Sequence, residues 1–298
     1  LPDYSKDIVM PEIIIPVSVR QKIRDFFLQG LMYLAVLLVS AVFVWLLADL
    51  VQGGMAHLSW AFLTESPRDA GRAGGIASIL VSTLLILLIA LIAAVPLAWA
   101  TAVLLAEFVP IDSRFGRIVR FSLYVLAGVP SIVFGLFGNA FFSIYLGLGF
   151  SILSGGLTLA CMLLPILTST AEAGMRAVPD AYRLSSAALG MTRTAALIHL
   201  IFPAAAPALA AGLLIGIGRA LAETAALLFT SGYVDRMPGS LLDSGRALAL
   251  HIFDLSMNVP GGDMPAYATA LVLVSLLLGI NSLAMMFAHG LQRRRILT

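Results

Sequence analysis

The sequence predicts an all-α integral membrane protein of six transmembrane helices, for three reasons. Of its 298 residues 60% are hydrophobic and only 11% charged, against about 25% charged in ordinary soluble domains. Long windows carry no Asp, Glu, Lys or Arg, and most match the roughly 20 residues a helix needs to cross about 30 Å of hydrocarbon. The remaining cations are distributed unevenly between the connections, as topology requires of a multi-pass chain.

The charge-free windows locate the spans. Residues 26–48 form the first and 73–106 the second, broken late by Pro96. Residues 121–171 are too long for one crossing, and a turn in GLGFSILSGG (147–156) divides them into a third and a fourth. The fifth starts near Ala204 and runs through Arg219 to about Phe229; residues 264–288 are the sixth. Three regions follow: an N-terminal segment 1–25, the first helix with its outer loop 26–72, and the main bundle 73–298. Residues 17–27 are read as a short surface helix or a disordered stretch.

Six spans put both ends on one side. Lys6, Arg20, Lys22, Arg24, Arg114, Arg117, Arg120, Arg176, Arg183, Arg193, Arg293, Arg294 and Arg295 share that side. Arg68, Arg72, Arg236 and Arg246 fall on the other, and Arg219 lies within a span. The positive-inside rule therefore makes both termini cytoplasmic. The single Cys161 excludes an internal disulfide, and His57, His199, His251 and His289 are too scattered for a metal site. Nothing in the charge pattern points to nucleic acid; the surface this chain meets is lipid. No phosphate-binding Gly-x-x-x-x-Gly-Lys-Ser/Thr loop occurs, so ATP hydrolysis by that route needs another chain. No catalytic group is expected either, because no carboxylates, histidines or activated nucleophile converge as an embedded hydrolase or transferase needs.

Two connections are long. The outer one, 231–263, contains GRALALHIF (245–253), read as a short helix dipping against the bundle, and Asp235, Asp243, Asp254 and Asp263, read as a solvated face. The inner one, about 170–203, reads as two short helices meeting at a corner. Pro179 suits a first helical turn with Val178 extended before it. Asp180 favours the helix start electrostatically. Gly190 permits the left-handed conformation that ends a helix, and Thr192 caps the next, which runs to Pro203. Helix–helix connections in bundles are usually about 2–8 residues. A longer elbow rich in small residues is either a plain connector or a docking surface for another protein.

The elbow resembles the cytoplasmic signature of ABC-importer permeases: Glu-Ala-Ala, three residues, Gly, nine residues, then Ile-x-Leu-Pro. Those places hold Leu184-Ser185-Ser186, Gly190 and Leu200-Ile201-Phe202-Pro203, so glycine, proline and spacing agree while the acidic residue and both alanines do not. The stretches LPILTSTAEAGMRAVPDAYR (164–183), GVPSIVFGLF (128–137) and GRALAETAALLF (218–229) are similar to phosphate-transport permeases of the PstA type, with Ser169 where relatives often carry arginine. The resemblance implies a type I, MetI-like permease bundle in a bacterial inner membrane. It implies that Asp180, Arg183, Leu184, Ser185, Ser186, Gly190 and Pro203 serve coupling to the ATPase. It implies further partners: a second phosphate permease, two ATPase subunits that bind the ATP and Mg, and a periplasmic phosphate-binding protein. No cofactor belongs to this chain itself. A permease for another oxyanion, the paired permease of the same complex, and an ATP-independent transporter are the alternatives.

Arg219 and Glu223 stand four residues apart in the fifth span. A charge at the bilayer centre costs about 2.5–3.5 kcal/mol on insertion scales, and a guanidinium keeps its proton. Ala208, Gly212, Gly216 and Ala220 form a small-residue stripe for close helix approach. Arg219 lies about 100° around from it. One reading is an Arg219–Glu223 ion pair that holds the bundle together. The other is a pathway in which Arg219 binds a tetrahedral oxyanion, Glu223 neutralises the empty site and Thr224 adds a hydroxyl. Ser131, beside the helix-kinking Pro130, lines a pathway or merely marks a packing kink. Glu172 matches a family position just inside the membrane, or is a solvated helix-end charge.

Overall fold

The computed structural model describes residues 19–296, so the proposed cytoplasmic segment 1–25 lies mostly outside the described residues. The chain divides into two compact units, Leu1–Asp49 and Leu50–Thr298. The first contains most of helix α1 (Val19–Met55), continuous from its basic start through the apolar run, with no separate surface helix. Its side chains from Arg24 to Trp45 are all exposed.

The second unit is helical apart from a hairpin of two two-residue strands, β1 (Pro67–Arg68) and β2 (Ala73–Gly74). Its helices are α2 (Trp60–Thr64), α3 (Ala77–Val103), α4 (Arg114–Ala127), α5 (Ser131–Gly138) and α6 (Ile152–Arg176). Then come α7 (Asp180–Ala188), α8 (Arg193–Ala196), α9 (Phe202–Leu221), α10 (Ala225–Leu228), α11 (Leu248–Met257) and α12 (Asp263–Ile296). π turns extend α3 over Leu104–Phe108 and α5 over Asn139–Tyr145, and a third, Leu197–Ile201, joins α8 to α9. Among the described residues five helices are long and apolar enough to cross a membrane, and a sixth crossing is available from a bent pair.

α6 is the axis of this bundle. Ala90, Ala94, Ala98 and Ala102 of α3 are all 0% exposed, a four-residue repeat whose members pack in clusters with Leu159, Leu163, Leu167, Ala171 and Met175 of α6. That packing carries α3 unbroken through Pro96, where the sequence predicted a break; one missing backbone bond is tolerable in a helix held along its length. On the other flank the small-residue stripe of α9 docks as expected. A Cβ on Gly174 would sit 2.5 Å from Cβ of Ala208, Gly212 abuts Thr170, and Gly216 lies against Leu167. Gly155 and Gly156, expected in the turn before α6, are inside it, packed against Ser231 and Ile89.

The third crossing departs from the expectation of a helix starting at Phe121. It begins at Arg114, stops at Ala127, and resumes at Ser131 at an angle of 99°. Pro130 has no N–H to continue α4 and adopts φ −60°, ψ 143°. The pair still makes one passage along α6: Arg120 bonds Glu172 near its inner end, and Ser143 Oγ lies 2.7 Å from Ser154 Oγ near its outer end.

The fifth crossing also shifts. Its helix starts at Arg193 rather than near Ala204 and stops at Leu221, and α10 carries the chain on until Thr230 accepts the Ser151 N–H at the start of α6. Pro203 ends no helix, because the π turn before it makes a wider Phe202 N–H to Leu197 C=O closure and accommodates the ring. The elbow otherwise follows its sequence signals. Pro179 precedes α7, Gly190 has φ +69°, and Thr192 Oγ1 accepts the Ala195 N–H at 3.2 Å. The outer helix α11 packs on α12 and α3, its Leu248 N–H donating to Thr83 Oγ1 at 2.9 Å.

Candidate functional site

The stripe contacts pair Ala208 with Gly174, Gly212 with Thr170 and Gly216 with Leu167, so each step up α9 is a step down α6. One turn further, Arg219 stands level with the middle of α6. It is exposed, on a face with Ala211, Ile215 and Ala222, and among the described residues it has no ion-pair or hydrogen-bond partner. A cation at mid-depth on an apolar face cannot rest against lipid at acceptable cost. Such a cation needs protein or water around it.

The Arg219–Glu223 ion pair, one of the two readings of this stretch, does not form among the described residues. Helix α9 closes at Leu221, so the two residues do not stack on one continuous helix. Glu223 is 8% exposed, and its Oε1 accepts the Ala226 N–H at 3.2 Å, capping α10. Thr224 is the half-buried residue at the start of that helix. α10 packs on α5: a Cβ on Gly135 would lie 2.9 Å from Cα of Ala226. Ser131 is half-buried at the first position of α5, directly after the Pro130 break. The helix that Ser131 begins and the helix that Glu223 and Thr224 precede are thus in contact at Gly135 and Ala226, while Arg219 stands on a separate face of α9.

Glu172 is no solvated helix-end charge. It is 8% exposed, and one carboxylate oxygen, Oε1, accepts Nε–H from both Arg120 and Arg176, each at 2.9 Å. Arg120 also donates from Nη1 to the Ile111 carbonyl at 3.2 Å, and Arg176 to the Leu105 carbonyl in the π turn of α3. This cluster borders a cavity of about 340 Å³ that Tyr124 and Ser169 also line. Sequence reading missed both arginines here, although the Glu172–Arg176 spacing of four was a visible signal.

On the elbow, the residues expected to serve coupling separate into two groups. Leu184, Ser185 and Asp180 are exposed, as are Tyr182 and Leu189 beside them. Arg183 and Ser186 turn inward. Arg183 donates to Glu107 from Nη2 at 2.6 Å and Nε at 3.1 Å, to the Met175 and Val178 carbonyls at 3.0 and 2.9 Å, and to Asp180 at 3.2 Å. The Glu107 contact, chief among these, raises the pKa of Arg183. Ser186 Oγ donates to the Arg183 carbonyl at 2.8 Å. Thus Arg183 ties the elbow to the inner ends of α3 and α6, and Glu107 is a partner that no local pattern announced.

The outer connection holds a third buried cluster. Arg246, 8% exposed, donates to Asp254 at 2.9 Å and to the Tyr233 carbonyl at 2.8 Å, and lies 3.3 Å from Nδ1 of His251. Asp254 therefore departs from the expected solvated face: it is paired and largely buried. His251 is 1% exposed, and burial first, then the Arg246 charge, lowers its pKa to about 4.

Residues 94–296 match the family described as binding-protein-dependent transport system inner membrane component. The phosphate transport system permease protein PstA of Mycobacterium leprae is 32% identical over 285 residues, covering 94% of this chain and 93% of that protein. A bacterial ABC transporter structure involved in import of the acidic polysaccharide alginate aligns with a TM-score of 0.59 at 16% identity, covering 89% of this chain and 97% of that one. An inward-facing MetNI methionine ABC transporter aligns at 0.57 and 15%, covering 73% and 94%. These structures share the MetI-like permease fold with this chain.

Proposed function

This chain belongs to the family of binding-protein-dependent transport system inner membrane components, and we propose from that premise that it forms half of the pathway carrying inorganic phosphate into the cytoplasm. It is a multi-pass membrane subunit of an importer, and the chemistry of the cycle falls to its partners. Those partners are a second, similar permease, two ATPase subunits that hold ATP and Mg, and a periplasmic phosphate-binding protein. Both termini lie in the cytoplasm, in keeping with the cation distribution along the sequence.

The observation that carries this reading is Arg219, an exposed guanidinium with no partner among the described residues, at the mid-height of the bundle. Its planar fork suits a tetrahedral oxyanion, and the second permease closes the route around it. Glu223, Thr224 and Ser131 supply polar groups from the neighbouring α5–α10 contact, and Glu172 lies where the route reaches the inner face. The similarity to phosphate permeases supports phosphate as the anion. The exposed face of the elbow, with Leu184 and Ser185 outward, supports ATPase docking there. ATP biases the pathway only through states it binds differently, and Arg183 links the docked elbow to α3 and α6.

Reconstitution with the neighbouring transport proteins tests this, by ATP-dependent uptake of labelled phosphate in competition with sulfate and arsenate. Phosphate is taken up, and Arg219→Lys cripples uptake while complex assembly is retained. Wild-type rates in that variant, or a preference for sulfate, would overturn the assignment.

A further inference from the structure

We propose that the cavity between α4 and α6 is a second, inner binding site for a phosphate group, held by Arg120 and Arg176. The site follows from local charge, not from the transport role of Arg219. Two guanidiniums and one carboxylate border the cavity, leaving one positive charge in excess. Both arginines spend Nε on the same oxygen of Glu172, and among the described residues the buried Nη2 of Arg120 has no hydrogen-bond partner. A half-buried cluster with one uncompensated positive charge is completed by an anion.

A phosphate group fits that deficit best. Its several acceptor oxygens match paired guanidinium forks, and Ser169 and Tyr124, both hydroxyl-bearing, line the same cavity. Its volume of about 340 Å³ leaves room for the group with water around it. Glu172 cancels one of the two arginines, so binding is weak enough for the ligand to leave. Arg114 and Arg117 lie on the exposed part of the same helix, which favours approach of anions from the inner side. The phosphate comes either from the free ion, which makes this an exit station on the route, or from the headgroup of an anionic lipid.

The test uses the full chain in nanodiscs, with Ser169→Asp placing a negative charge in the cavity without removing any member of the Arg120–Glu172–Arg176 cluster. Ser169→Asn is the neutral control for folding. Labelled inorganic phosphate is titrated in discs of phosphatidylcholine alone, and lipid retention is read by native mass spectrometry in discs with added phosphatidylglycerol. Saturable phosphate binding that weakens about tenfold or more in Ser169→Asp, but not in Ser169→Asn, supports the free ion. Retention of phosphatidylglycerol that Ser169→Asp alone removes supports the headgroup. Equal binding and equal retention in wild type and Ser169→Asp overturns the site. A failed Arg219→Lys uptake prediction would leave these outcomes unaffected, so the two proposals stand or fall separately.

Discussion

The inner end of the bundle and its middle treat arginine in opposite ways. At the inner end Arg120 and Arg176 share Glu172, and Arg183 holds Glu107 through two bonds. At mid-height Arg219 has an acidic residue four positions away and does not use it, because Glu223 caps α10. Charges that are bonded within the chain hold its parts in position. A charge left without such a bond, where solvation is costly, ties no described part of the chain to another.

The contrast can be broken most severely at the elbow. Arg183→Ala strands Glu107 and removes the tie to the Met175 and Val178 carbonyls. Removing one partner of a buried pair costs about 3–5 kcal/mol, and the remaining exposure of this one puts it near the lower end. Thermal unfolding of the purified protein measures the loss. The exchange pair Arg183→Glu with Glu107→Arg recovers part of it, whereas no recovery would mean that the carbonyl contacts dominate.

The outer cluster sharpens the comparison through pH. His251 titrates near 4 in the fold, against about 6.5 unfolded. Between those values the unfolded chain binds a proton that the fold excludes, so stability falls as pH drops through that window. The full effect is up to about 3 kcal/mol. Melting curves across that range, compared with His251→Gln, isolate it; identical slopes would show that His251 charges freely in place.

Arg219→Lys keeps the charge and loses the fork. Since hydrogen bonds to charged groups contribute about 1.5–3 kcal/mol, uptake drops roughly 10- to 100-fold. Unfolding stability stays unchanged, because no bond recorded within this chain is lost. A drop in stability of more than about 1 kcal/mol would move Arg219 into the structural class.

The smallest effect belongs to Glu223→Gln. Glutamine still offers an acceptor to the Ala226 N–H, so stability changes by about 1 kcal/mol or less. Transport is the informative measurement: the anion is held longer and turnover slows. Unchanged retention and turnover would confine Glu223 to its capping role.

Much of this architecture was legible beforehand, for reasons that differ by element. The α9 stripe and the left-handed Gly190 were read correctly because period and backbone preference are local. The Thr192 cap was too, since its acceptor and donor sit three residues apart. The expected break at Pro96 was wrong because packing along the alanine repeat of α3 outweighs one missing bond. The alternative reading of Arg219 and Glu223 as an ion pair fails because spacing of four implies contact only while one helix continues, and α9 stops at Leu221.

By itself the sequence determined the helical membrane class, the approximate spans, the elbow and the presence of a costly arginine in the fifth crossing. Each follows from hydrophobic length, cation distribution or the conformational limits of nearby residues. Tertiary structure alone decided which charges meet. Glu172 finds Arg120 from 52 residues away and Arg183 finds Glu107 from 76. Those encounters depend on where helix ends fall in space, which residue spacing along one chain does not encode.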